Sequence, residues 1–122
     1  MSDQIARSST ESYQPDSLII GGLADFGRGT LASGQDLTRG AILGRVTASG
    51  ELTLSVETAT DGSEEPVGAL CHDTDASGGA EGCQFARGGW LNEHVVNFDA
   101  SWTVDTLNAA FDGTPLSIVK PY

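Results

Sequence analysis

The stretch DLTRGAILGRVTASGELTLSV, Asp36 to Val56, holds two apolar runs either side of a Ser49-Gly50 turn. Leu52, Leu54 and Val56 alternate strictly with Thr53 and Ser55, a period of two that predicts a strand with three aliphatics on a buried face and hydroxyls on the other. Ala41–Thr47 and Glu51–Glu57 therefore read as a hairpin, and Ala48-Ser49-Gly50 supplies the glycine that a short connection with a positive φ needs. A polar loop centred on Asp61-Gly62 leads to a third strand over Pro66–His72, apolar at Val67, Ala69, Leu70 and Cys71. After a turn cluster at Asp73–Gly79, Glu81–Arg87 is expected to return antiparallel with Cys83 and Phe85 on one face. Gly88-Gly89 should break that strand before Trp90–Asn97 continues.

The period changes once. Val104, Leu107 and Phe111 recur at helical spacing, with Asp99 or Ser101 expected to cap the helix and Gly113 standing where a left-handed C-terminal cap is wanted. Leu116–Val119 reads as a last short strand. At the other end, Met1–Ser12 is polar and Ser-rich and reads as a flexible leader. In Tyr13-Gln14-Pro15-Asp16-Ser17-Leu18-Ile19-Ile20 an extended proline segment runs into three aliphatics before Gly21-Gly22. This segment fits either the first strand of the domain or an arm that becomes a strand when a partner offers a sheet edge. Gly27–Gly34 is punctuated by glycine and serine. The predicted fold is mainly β: a small barrel- or sandwich-like domain of short strands, residues 21–122, with one short C-terminal helix and a flexible arm over residues 1–20.

Length and charge narrow the function. The 122 residues suit one domain with a modest core, for which subunit association is a natural source of further burial. Seventeen acids against six basic residues give a net charge of −11, and the single lysine, Lys120, and five separated arginines form no cluster that could neutralise phosphates. Neither nucleic acid nor an anionic membrane is an expected partner. No apolar run approaches the ~20 residues of a membrane span. The N-terminal residues lack the apolar core and basic start of a secretory signal, so folding in a cytoplasm, with Cys71 and Cys83 as reduced thiols, is the expectation; a disulfide across a hairpin is the alternative.

Few residues suggest chemistry. Cys71-His72-Asp73 resembles a nucleophile, base and orienter, but neighbours on a strand point to opposite faces. Cys71, His72, Cys83 and His94 could supply four zinc ligands, yet they lack the closely spaced pairs of structural zinc sites. Asp73–Asp75 with Gly78-Gly79 hints at a calcium loop without the glutamate at the required spacing. The glycines of GGLADFGRG neither follow a strand nor open a helix in the order that phosphate binding requires. No catalytic residue, metal or cofactor is expected. Leu37–Gly44 is similar to the half-repeat of biotinyl and lipoyl carrier domains, which makes a small barrel carrier or enzyme accessory domain the alternative function. Ser49-Gly50 occupies the hairpin tip where such a carrier presents its lysine.

A wider likeness spans Tyr13 to Val119. It is carried by Tyr13-Gln14-Pro15-Asp16-Ser17-Leu18-Ile19, by Leu37–Gly44 with Thr47–Gly50, by Asp61-Gly62-Ser63 leading to Pro66–Leu70, and by Ala110–Val119. In order and spacing these segments resemble the head decoration protein D family of lambda-like tailed bacteriophages. The resemblance implies a structural virion protein rather than an enzyme, made in the host cytoplasm. It implies a homotrimer on the outer surface of the expanded head at three-fold and quasi-three-fold sites, holding the major capsid protein against internal DNA pressure. The capsid-binding arm it implies comprises Ser12, Tyr13, Pro15, Asp16, Leu18, Ile19 and Ile20, with the three aliphatics as anchors. The Trp90–His94 stretch and the two cysteines depart from the family pattern.

Overall fold

The computed structural model describes residues 17–120; the expected leader, and with it Ser12, Tyr13, Pro15 and Asp16, lies outside the described residues. In chain order the elements are β1 (Ile19–Leu31), β2 (Asp36–Leu37), β3 (Ile42–Arg45), β4 (Leu52–Leu54), β5 (Pro66–Leu70), β6 (Thr74–Asp75), β7 (Glu81–Asn92), α1 (Val104–Ala110) and β8 (Leu116–Val119). Among the described residues the protein is mainly β with one short helix, as its patterning predicts.

The β3–β4 hairpin forms where the alternation places it, with Leu43 opposite Leu54 and Arg45 opposite Leu52. Gly50 takes φ +75° and donates its amide to the Val46 carbonyl at 2.7 Å, closing the turn. The main sheet runs β1-β4-β3-β5-β7-β8, and because β1 also pairs with β7 the first five strands close into a ring. β8 joins β7 in parallel, with Leu91 opposite Ile118. A separate ribbon pairs β2 with β6.

Both faces of this sheet are covered, so the protein has two apolar cores. Leu31, Leu43, Leu52, Leu70, Cys83 and Phe85 gather on one face. Ile42, Ala69, Ala86 and Leu91 point the other way and pack under Trp102, Leu107, Phe111, Leu116 and Ile118. Alternation along β7 sends Phe85 to one core and Ala86 to the other, so a single strand joins them. Fully burying an aliphatic or aromatic side chain of this size contributes roughly 1.5 to 3 kcal/mol.

The glycine-punctuated stretch from Gly27 is strand as far as Leu31. β1 continues through Gly27 and Gly29 to Leu31, opposite β7. These glycines face the first core: a Cβ at Gly27 would stand 2.9 Å from Phe85 Cζ, and one at Gly29 2.8 Å from Leu52 Cδ1. On β5, a Cβ at Gly68 would stand 2.7 Å from Phe85 Cδ2. Three glycines on two strands, β1 and β5, thus bring backbone close to one phenyl ring, a use of glycine that looks in sequence like a loop.

Three expectations change. The alternation ends at Leu54; Ser55 is buried instead, its hydroxyl donating to the Ser63 carbonyl at 2.7 Å, and Val56 is half-buried. β7 passes through Gly88-Gly89 without breaking, because Gly89 takes φ +113°, and it ends at Asn92 rather than Asn97. The helix cap is Thr103, whose hydroxyl accepts from the Thr106 amide at 3.2 Å while the Thr106 hydroxyl accepts from the Thr103 amide at 2.8 Å. Asp99 caps a local turn instead, accepting from the Ser101 amide at 3.0 Å. Gly113 is left-handed at φ +86°, two residues past the C-cap Phe111.

Candidate functional site

Of the side chains singled out for chemistry, His72, Asp73, Asp75 and Cys83 line one polar pocket with Arg28, and Cys71 and His94 are not part of its lining. The Cys71 amide donates to the Gln84 carbonyl at 2.9 Å, which sets Cys71 against Gln84 and toward the helix-side core, while Cys83 lies in the other core. Burial raises both thiols; the Cys83 thiol adds a smaller upward push on Cys71, and Arg28 and Arg45 partly offset the rise at Cys83. That direction is opposite to what activates a thiolate nucleophile. Asp73 accepts the Arg39 amide at 2.8 Å, and Asp75 accepts both the amide and hydroxyl of Ser77. The DTD segment is therefore held as turn structure. Among the described residues no three His, Cys, Asp or Glu side chains are grouped to hold a metal ion. Among them, too, no helix is long and apolar enough to cross a membrane.

The aliphatics of the expected arm are better placed. Leu18 is 8% exposed and packs in the helix-side core; Ile19 and Ile20 are half-buried and open β1. Asn92, fully buried at the end of β7, fixes this entry. Its Nδ2 donates to the Ser17 carbonyl at 3.0 Å, its own amide donates to the Leu18 carbonyl at 2.8 Å, and its Oδ1 accepts the His94 amide at 2.9 Å. The chain preceding Ser17 therefore leaves from a rigid root.

Beside that root the β1–β7 pairing is irregular. Gly21 lies opposite Trp90 and Asp25 opposite Gly88, so Gly22, Leu23 and Ala24 face Gly89 alone. This bulge turns Leu23 outward, 89% exposed. Trp90 lies over Gly21 and Gly22, where any Cβ would strike its indole, and is itself 51% exposed; Phe26, further along β1 opposite Ala86, is 45% exposed. Arg87 Nε donates to Asp25 Oδ2 at 2.9 Å on the same ribbon. Beyond Leu31, which pairs with Leu52 of β4, the outer edge of β1 has no strand beside it among the described residues. The outer edge of β8 differs: Asn108 occupies both backbone groups of Ile118, accepting its amide at 2.8 Å and donating to its carbonyl at 3.1 Å.

The profile of one protein family, described as bacteriophage lambda head decoration protein D, matches residues 9–117. The chain belongs to that family. The match begins upstream of Ser17 and reaches into β8, so it takes in the approach to the root, the root itself, the ring and the helix. As a head decoration protein the chain has a structural role on the phage capsid, and its family is not one of enzymes. No curated protein is significantly similar to the chain.

Sequence reasoning passed over Asn92, Leu23 and Phe26. A lone asparagine between Leu91 and Glu93 carries no signal of burial, and the bulge that exposes Leu23 depends on a register that only the paired strands reveal. Of the three, only Phe26 carried a signal, an aromatic among glycines.

Proposed function

We propose that this protein decorates the outer surface of the expanded head of a tailed phage as a homotrimer. It binds the major capsid protein at three-fold and quasi-three-fold sites and stabilises the shell against the pressure of packaged DNA, with no catalytic step. The family match over residues 9–117 carries this reading. The arm, with Ser12, Tyr13, Pro15 and Asp16 ahead of a root formed by Leu18, Ile19 and Ile20, is the capsid-binding element. Strand addition draws its affinity from main-chain hydrogen bonds and demands little of side chains, which suits a segment without conspicuous chemistry. Three arms on one trimer convert modest single contacts into avidity, worth about 10² to 10⁴ when all engage together. The net charge of −11 limits non-specific contact with nucleic acid during assembly in the host cytoplasm.

The root dictates the test. Removing residues 1–16 spares Leu18 and the hydrogen bonds of Asn92, so the truncated protein is expected to fold with unchanged thermal stability yet fail to bind expanded capsids in a co-sedimentation assay. Full occupancy by the folded, truncated protein would refute the arm assignment. Quantitative mass spectrometry of purified particles tests the broader reading, with a ratio near one decoration chain per major capsid chain expected.

A further inference from the structure

We propose that the ribbon of Leu23, Phe26 and Trp90 on β1 and β7 is the surface through which one copy of this chain packs against the next. The inference rests on the trimeric reading above and names the surface that reading leaves unassigned. Among the described residues the three side chains are the exposed large hydrophobics, and all lie on two adjacent strands. Their exposure is built in. The bulge opposite Gly89 presents Leu23, and glycines at 21 and 22 leave the space on which the Trp90 indole rests. A glycine pair that supports an aromatic ring half in solvent adds little to the core; it holds a flat apolar surface outward.

Charge selects a second copy as the occupant. β1 and β7 contain two acids, Asp25 and Glu81, and two arginines, Arg28 and Arg87, and so carry no net charge. The whole −11 of the chain lies elsewhere. Copies of so acidic a protein repel one another over most of their surface, and self-association costs least where charge cancels. On this ribbon the Asp25–Arg87 pair removes even the local charge beside Leu23. The contact is expected to strengthen with salt, because screening relieves repulsion between acidic surfaces and leaves apolar burial intact.

The test uses the full chain and its mass in solution by light scattering across a dilution series, at low and high salt. The wild type is expected at three times the chain mass, more persistently at high salt. Leu23→Asp and Phe26→Ser alter exposed side chains and are each expected to weaken association at least about tenfold, with thermal unfolding of the diluted chain unchanged. Thr58→Asp, which adds the same charge at an exposed position far from the ribbon in sequence, is expected to assemble like the wild type. Variants of the ribbon that remain trimeric overturn the surface assignment and leave the decoration reading intact; if they also lose capsid binding, the ribbon faces the shell. A wild type that stays monomeric under all conditions overturns the inference, and capsid co-sedimentation of that monomer then decides whether decoration itself survives.

Discussion

Asn92 Nδ2 donates to the Ser17 carbonyl at 3.0 Å, tying together positions 75 residues apart in sequence. With the Asn92 amide on the Leu18 carbonyl, this fastens the entry to β1 to the end of β7. Asn92→Ala would remove the Asn92 side-chain partner of the part-buried His94 amide and Ser17 carbonyl, and a polar group left unsatisfied away from water costs about 1 to 3 kcal/mol. Allowing for partial rescue by water, a loss of about 2 to 3 kcal/mol is expected in denaturant unfolding. Limited proteolysis should then cut near Ser17–Ile20 well before the rest of the chain. Unchanged protection there would show that Leu18 alone secures the root.

Close approach of backbone to the Phe85 ring makes a second prediction. Gly68→Ala places a methyl against the Ala86 carbonyl and the Phe85 ring, both inside the sheet. Overpacking of this kind typically destabilises by about 1 to 3 kcal/mol. Gly82→Ala, also on a strand but with open space where its Cβ would stand, should be neutral or slightly stabilising through loss of unfolded-state freedom. The two urea midpoints, compared directly, check the assignment; equal midpoints would mean that the sheet adjusts around the methyl.

The same glycines show what could be read from the sequence. Where burial is one-sided, as in the β3–β4 hairpin, period-two alternation announced the strands, and helical spacing at Val104, Leu107 and Phe111 announced α1. The aliphatic start of β1 was legible as a possible first strand, but its continuation to Leu31 was not, because the core face there is made of Gly27 and Gly29, whose missing side chains are filled by Phe85 and Leu52 from other strands. Composition reads such a segment as a loop; only the partner's bulk reveals it as a strand. The helix cap shifted from Asp99 or Ser101 to Thr103 for a related reason, since several capping side chains compete and local turns claim the others. The arm's aliphatics were legible as apolar, but that Leu18 turns into this chain's own core depends on Asn92, a contact that no local pattern encodes.

Thiol reactivity follows from the two cores. Burial raises both thiols, and Cys83 is the more enclosed. Near neutral pH the native protein should react with a disulfide reagent at least about tenfold more slowly than the denatured chain, Cys71 ahead of Cys83. Stopped-flow labelling of the two single-alanine variants separates the rates. A thiol that labels faster in the native state than in the denatured chain would reopen a catalytic or redox role at Cys71-His72-Asp73.

Acid should loosen the loops before the sheet. Asp61 accepts both the amide and hydroxyl of Ser63, Asp75 those of Ser77, and Asp99 the amide of Ser101, and these hydrogen bonds hold each carboxyl below the usual aspartate value. A carboxyl whose folded value lies below its unfolded one binds fewer protons when folded, so it stabilises the fold above the unfolded value. That contribution is lost as pH falls through the folded value. Asp61 and Asp75 are exposed and Asp99 partly so, and each effect is small and screened by salt. Thermal melts of wild type and Asp61→Asn, taken from about pH 6 down to about pH 2, should differ at the upper end and converge at the lower. A gap that persists below the aspartate range would place the role of Asp61 in its shape rather than its charge.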